Sequence, residues 1–239
     1  MRRLAFGIGL LLACGWPLLL GAQPQPAPLR LVTILALERP IMVAERQLLD
    51  VAFARAGLRY ALEFNPAERA LAGFQNGSLD GDVNRIATFH QSYADAIRVE
   101  PHVQTAFFYA VGNPVATAPA SWQDLAKYRI AYVRGFKGIE IRTAAVPQRE
   151  VTDSDEACLR MAQARRVDWC VLPADRKGAW PLSAQFGEPM IGALIDAIKV
   201  YIWLGPQHRE AAQQLSRVLR EMDRAGELQK IMAPFRLAD

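Results

Sequence analysis

The chain has 239 residues, 51% of them hydrophobic and 22% charged, with 28 Lys and Arg against 24 Asp and Glu. A formal net charge of +4 spread without a dense basic run leaves no electrostatic footprint for nucleic acid. The three histidines, His90, His102 and His208, form no His-x-x-x-His pair, and there is no paired C-x-x-C, so no metal site or other cofactor is indicated.

The first residues, MRRLAFGIGLLLACGWPLLLGA, run basic, apolar, then small, which is the order of a secretory signal cleaved after Ala22. An uncleaved anchor is the competing reading, but Leu4 to Leu20 is interrupted by Pro17 and falls short of the ~20 apolar residues a span needs. Lipidation at Cys14, in LLAC, is a second alternative, set back by the apolar run that follows it. Removing residues 1–22 leaves 217 residues and, with Arg2 and Arg3 gone, a net charge of +2. No later stretch is long and charge-free enough to span a bilayer, so the mature chain is expected to be soluble outside the cytoplasm, in the periplasm. It keeps Cys158 and Cys170, which such a compartment permits to pair; a disulfide and two buried thiols both stay open.

After the proline-rich linker 23–28, LRLVTILAL reads as a buried strand. In IMVAERQLLDVAFARAGL, Leu49, Ala52, Phe53 and Ala56 mark one face of a helix that Gly57 terminates. Leu58, Tyr60, Leu62 and Phe64 then alternate as a strand does. Asn65 as cap, Pro66 at the first helical position and Gly77 beyond the end bracket a second helix. NGSLDGDVNR follows, with Asp80, Asp82 and Asn84 at alternate positions. A calcium loop counted from Asp80 would need glycine where Arg85 stands and glutamate where Gln91 stands, so calcium is excluded there. This β-α-β-α-β alternation predicts an α/β domain with a largely parallel sheet. A second alternation begins at SWQDLAKYRIAYVRG, where Ser121 caps a short helix before a strand. It continues through a capped helix and a strand from Val167 to Leu172, and ends in IKVYIWLG and amphipathic helices bearing Ala212, Leu215, Leu219 and Met222. Two α/β units of about 80 to 110 residues suit this length.

The order of PAERALAGFQNGSLDGDVNR, IRVEPHVQTAFFYAVG, SWQDLAKYRIAYVRG, DSDEACLRMAQARRVDWCVLPAD and DRAGELQKI resembles the family-3 periplasmic solute-binding proteins, the amino-acid-type receptors of ABC importers. The resemblance covers the mature chain and implies a type II fold: two Rossmann-like α/β lobes joined by a two-strand hinge. By analogy lobe 1 comprises 29–106 and 203–239, lobe 2 comprises 111–199, and the hinge comprises 107–110 and 200–202. Such a chain would close like a flytrap on a small molecule in the crevice at the strand carboxyl ends.

The resemblance implies a site built from Arg85, Asp175, Gly135, Lys137, Glu38, Tyr109 and Trp180. Arg85 would clamp a carboxylate with its planar fork, against a structural role paired with Asp82 or Glu100. Asp175 would face an ammonium, against a role as a turn former. Gly135 would let backbone amides approach an anion, and Lys137 and Glu38 would add charge near the mouth. Phe107, Tyr109 and Trp180 would form an apolar wall, with core packing as the competing use of each ring. The T-x-x-R usual in the family after its D-G is absent, which puts a free amino acid in doubt as the ligand. The resemblance therefore implies a monomeric, non-catalytic receptor for a small carboxylate-bearing solute, working with an inner-membrane ABC permease. Two alternatives are a sensing or adaptor protein docking on a membrane receptor, and an enzyme like the cyclohexadienyl dehydratases. Against the enzyme, no histidine lies in a catalytic motif and no G-x-S-x-G elbow is present.

Overall fold

The computed structural model describes residues 27–114, 117–176 and 190–237. β1 (Leu29–Thr33) and β2 (Tyr60–Phe64) pair in parallel and are joined by α1 (Pro40–Arg55). Pro40 opens α1, where its missing N–H costs nothing. Ile41, Met42, Leu48, Leu49, Ala52 and Phe53 form the buried stripe of this helix and enter the first core. Gly57, at φ +67°, ends it, and the Leu58 N–H returns to the Phe53 carbonyl at 2.9 Å.

α2 (Ala67–Gln75) leads to β3 (Gly81–Ile86), which lies parallel to β1. Asn65 is not its cap. Pro66 holds that position, because the Asn65 N–H is still engaged by the Thr33 carbonyl at 3.0 Å and its side-chain amide donates to Glu63 at 2.7 Å. The short β4 (Ile97–Arg98) precedes β5 (Gln104–Gly112). The second unit is β6 (Ile130–Val133), α3 (Lys137–Arg142), β7 (Arg149–Thr152), α4 (Asp155–Gln163) and β8 (Trp169–Ala174). Ser154 caps α4 by accepting from the Ala157 N–H at 3.1 Å. The long β9 (Ile191–Leu204) returns the chain to the first unit, which α5 (Arg209–Arg224) and α6 (Glu227–Met232) complete.

Among the described residues the strands run β2-β1-β3-β9-β5-β8-β6-β7, with β4 also on β9. The outer members of each half are parallel, and the central pairings β3/β9, β9/β5 and β5/β8 are antiparallel. One core packs α1, α5 and α6 on the first half, with Val103 just before β5 and Ile202 and Leu204 of β9. Two more clusters pack the opposite faces of the second half, one holding Phe107, Tyr109 and Val111 and the other Phe108, Ala110 and Ile195. β5 and β9 thus pass between cores, β5 between Val103 and Phe107 and β9 between Ile195 and Ile202. The segments 107–110 and 200–202 lie inside these continuous strands. The run FFYAV buries side chains on both faces, which anchors 107–110 in the second core. The C-terminal tail returns to this crossing: Thr105 N–H donates to the Phe235 carbonyl at 2.8 Å, and Leu237 N–H to Thr105 Oγ1 at 3.0 Å. Cys158 on α4 and Cys170 on β8 form a disulfide, Cα to Cα 5.5 Å, inside the second core.

Candidate functional site

The parallel strands of both halves end toward a common boundary, and the residues just beyond them meet there. Arg39 follows β1, and Asp175 follows β8. The Arg39 Nη2 donates to both Asp175 oxygens, at 2.7 and 2.6 Å, between residues 136 apart in sequence. Asp155, the first residue of α4, lies close enough for Arg39 to favour its ionised form, although partial burial pushes its carboxyl above the usual range. This contact brings the carboxyl ends of the two parallel sets face to face.

The first half also carries a buried polar chain. Thr33, ending β1, donates through Oγ1 to Asn84 Oδ1. The Asn84 amide donates to Glu45 Oε2 at 2.9 Å, and Gln104 donates to the same oxygen at 3.4 Å. Glu45 is fully buried on α1, and its Oε1 has no partner among the described residues. Burial pushes its carboxyl up to about 8, against the Asn84 hydrogen bond and with help from the Asp82 charge. This shift favours the protonated acid over the carboxylate in the fold.

Arg85 and Asp82 come together because β3 is irregular. Asp82 pairs with Trp203 and Arg85 with Tyr201, so three steps on β3 answer two on β9. Without that extra residue, positions three apart would point to opposite faces of the sheet. The Arg85 Nε donates to Asp82 Oδ2 at 2.6 Å, Asn84 N–H donates to Asp82 Oδ1 at 3.0 Å, and the guanidinium carbon sits 5.6 Å from the Phe89 ring centroid. Asp82 is wholly buried, and burial pushes its carboxyl upward while Arg85 opposes the shift. Arg85 keeps one buried nitrogen, Nη2, without a partner among the described residues. The structural pairing with Asp82 is thus present, on a side chain that is itself largely buried.

The other predicted residues are dispersed. Asp175 is engaged by Arg39 and so does not stand open to a ligand ammonium. Gly135 adopts φ +92° between β6 and α3, and the space beside it is open, so its backbone angle rather than crowding demands glycine. Glu38 is exposed in the turn before Arg39. Tyr109 and Phe107 are packed in the second core, 3% and 0% exposed, so their rings serve packing rather than a cleft wall. Trp180 and the Lys137 side chain lie outside the described residues. Sequence reasoning missed Arg39, Glu45, Asn84 and Asp155. Glu45 carried one signal: it falls on the apolar stripe of α1 between Ile41, Met42 and Leu48, Leu49, where a carboxylate is out of place.

A groove of about 570 Å³ lies elsewhere, between α2 and strands β1 and β2. Small residues there, Ala61, Ala72 and Gly73, fail to fill the interface, and Arg30, Glu63 and Arg69 rim it. It contains none of the predicted residues. The facing strand ends are the better candidate, because charged groups from both halves converge on them.

No family model matches the sequence. An uncharacterized protein of Shewanella oneidensis is 24% identical over 183 residues, 73% of this chain and 69% of that one. The fold is similar to the substrate-binding protein of an amino acid ABC transporter, at 12% identity and TM-score 0.61 over 87% of this chain and 99% of that one. It is similar also to an arginine transport system periplasmic binding protein of Legionella pneumophila, at 12% identity and TM-score 0.61 over 88% and 100%. A histidine kinase sensor domain with similarity to periplasmic binding proteins matches at 14% identity and TM-score 0.65, over 89% and 97%. This is the two-lobed periplasmic-binding-protein fold. Arg39, Glu45 and Arg85 lie on the half built around β1 to β3, Asp155 and Asp175 on the half built around β6 to β8, and β5 and β9 run between the two cores.

Proposed function

We propose that this periplasmic-binding-type chain captures a small carboxylate-bearing solute between its lobes, without turnover, and presents the closed form to an inner-membrane ABC permease. The lobes are taken as 29–106 with 203–239, and 111–199, in a monomer exported by the signal at residues 1–22. The observation that supports this reading is the Arg39–Asp175 contact, which sets the strand ends of both lobes across a shared cleft, the usual ligand position in open α/β sheets. Arg85 clamps the carboxylate with the part of its fork that Asp82 leaves free, and backbone amides after Gly135 approach it from lobe 2. Glu38 and Lys137 tune the charge of the mouth.

The test is a thermal-shift screen of amino acids, polyamines and small carboxylates, followed by calorimetry of each hit on wild type and Arg85→Ala. A solute at a hundred times its Kd stabilises the folded state by about 2.7 kcal/mol, an easily read shift. Arg85→Ala is expected to weaken binding by ~tenfold or more, since a charge-assisted bond is lost. A hit that binds both proteins equally removes the clamp, and a screen without hits removes the solute-binding role. Incubation with prephenate or arogenate is expected to yield no product above background.

A second reading, a sensor docking on a membrane receptor, is favoured by the likeness to the histidine kinase sensor domain. Co-purification from membranes with a permease supports the first reading, and with a signalling kinase the second.

A further inference from the structure

The Arg39 guanidinium stands against Asp175, where the cleft function proposed above would put a positively charged solute group. Its place is fixed locally: as the residue before Pro40 it is barred from helical backbone, and at ψ 138° it caps α1 without a side-chain bond to the helix. The side chain is thereby free to reach across the cleft, where Nη2 meets both oxygens of Asp175 and the charge also favours ionised Asp155. The Asp175 carboxylate is about a quarter exposed and Arg39 less than half exposed, so the pair sits at the mouth, partly shielded from salt. Because both partners belong to one chain, the contact forms at the effective concentration of an intramolecular encounter, in the millimolar range or above. A solute cation at micromolar concentration competes with it poorly.

We propose that Arg39 is a built-in occupant of the acidic position on lobe 2, drawing the lobes together without a solute and keeping cationic solute groups off Asp175. The exclusion of cations rests on the cleft function proposed above. The drawing together of the lobes does not, since it needs only the fold and this ion pair. A solute that fits beside the clasp is then an acid with no ammonium or guanidinium group.

Small-angle scattering of the purified protein tests both parts, with methylguanidinium as the probe. Wild type is expected to give a compact profile that millimolar methylguanidinium does not change. Arg39→Ala is expected to be more extended and to contract saturably with methylguanidinium, whose apparent affinity is at least ~tenfold tighter than for wild type, a difference of about 1.4 kcal/mol. Asp175→Asn breaks the same pair from the other side with almost no change of shape, and is expected to extend equally and not to contract. Profiles of Arg39→Ala and Asp175→Asn that superimpose on wild type overturn the clasp, as does equal contraction of the Asp175→Asn variant. If Arg39→Ala does not fold, Asp175→Asn decides alone, by extending or not. A solute screen without hits would cancel the cleft function and leave the scattering result standing.

Discussion

Glu45 offers the most direct energetic test of the first lobe's interior. Its carboxyl ionises near 4.5 in a solvated chain and is pushed up to about 8 in the fold. Between those values the unfolded chain has released a proton that the folded protein still holds, so stability falls as pH rises. One such proton changes stability by about 1.4 kcal/mol per pH unit, and across the window the loss is on the order of 5 kcal/mol. That is a large part of the 5–15 kcal/mol available to a typical domain. Glu45→Gln keeps the shape and the acceptor that Asn84 and Gln104 use, and puts an amide donor where the protonated oxygen stands. Urea denaturation of both proteins at intervals from pH 4.5 to 8.5 isolates the effect, since every other titrating group is shared. The stability of Glu45→Gln relative to wild type is expected to climb with pH through the window and level off above about 8. A difference that stays constant with pH would refute a protonated Glu45.

Three further changes test the frame around the site. Gly135→Ala should cost about 1 kcal/mol in denaturant titration, because φ +92° strains any residue with a Cβ while nothing crowds the new methyl group. Gly81→Ala should cost about 3 kcal/mol or more, since its Cβ would stand 2.7 Å from the Trp203 carbonyl and 2.5 Å from the Leu204 side chain at the β3–β9 pairing. Reducing the Cys158–Cys170 bridge should lower stability by about 3 kcal/mol, the loop entropy of a bridge between residues 12 apart, read as the gap between oxidised and reduced wild type in denaturant titration.

The alternation of β and α signals was enough to read the α/β class and the longer elements, but not the short β4 and β7, whose few residues carry no periodicity of their own. The Gly57 stop, which rests on a bond within a few residues, fell where sequence spacing puts it. The Asn65 cap did not, because its backbone is held by a partner 32 residues earlier on β1. The same divide governs the site. Arg85 stood out as a cation at a strand end, but its partner depends on the bulge in β3, which alternation alone does not reveal. Arg39 drew no notice because its acceptor comes 136 residues later, at the end of a strand in the other lobe. The rings of Phe107 and Tyr109 looked fit to wall a cleft, yet the strand that carries them is buried on both faces and leaves them none to offer.

The three polar residues of Asp80-Gly81-Asp82-Val83-Asn84 show how charge is distributed around the cleft. Asp80 takes Arg30 and His208 at the far end of the sheet, at 3.0 Å each. Asp82 takes Arg85, and Asn84 joins Thr33 to Glu45. Each successive side chain is thus drawn to a different element, so the segment has no convergent oxygens with which to hold an ion. Arg85 is thus paired with Asp82 within β3, and Asp175 is paired with Arg39 across the two halves. A zwitterionic amino acid needs an open cation and an open anion at fixed separation, and here the anion is closed by the protein's own guanidinium. On the cleft function proposed above, an Arg85 clamp beside an Asp175 already held by Arg39 would favour an acid over a zwitterion.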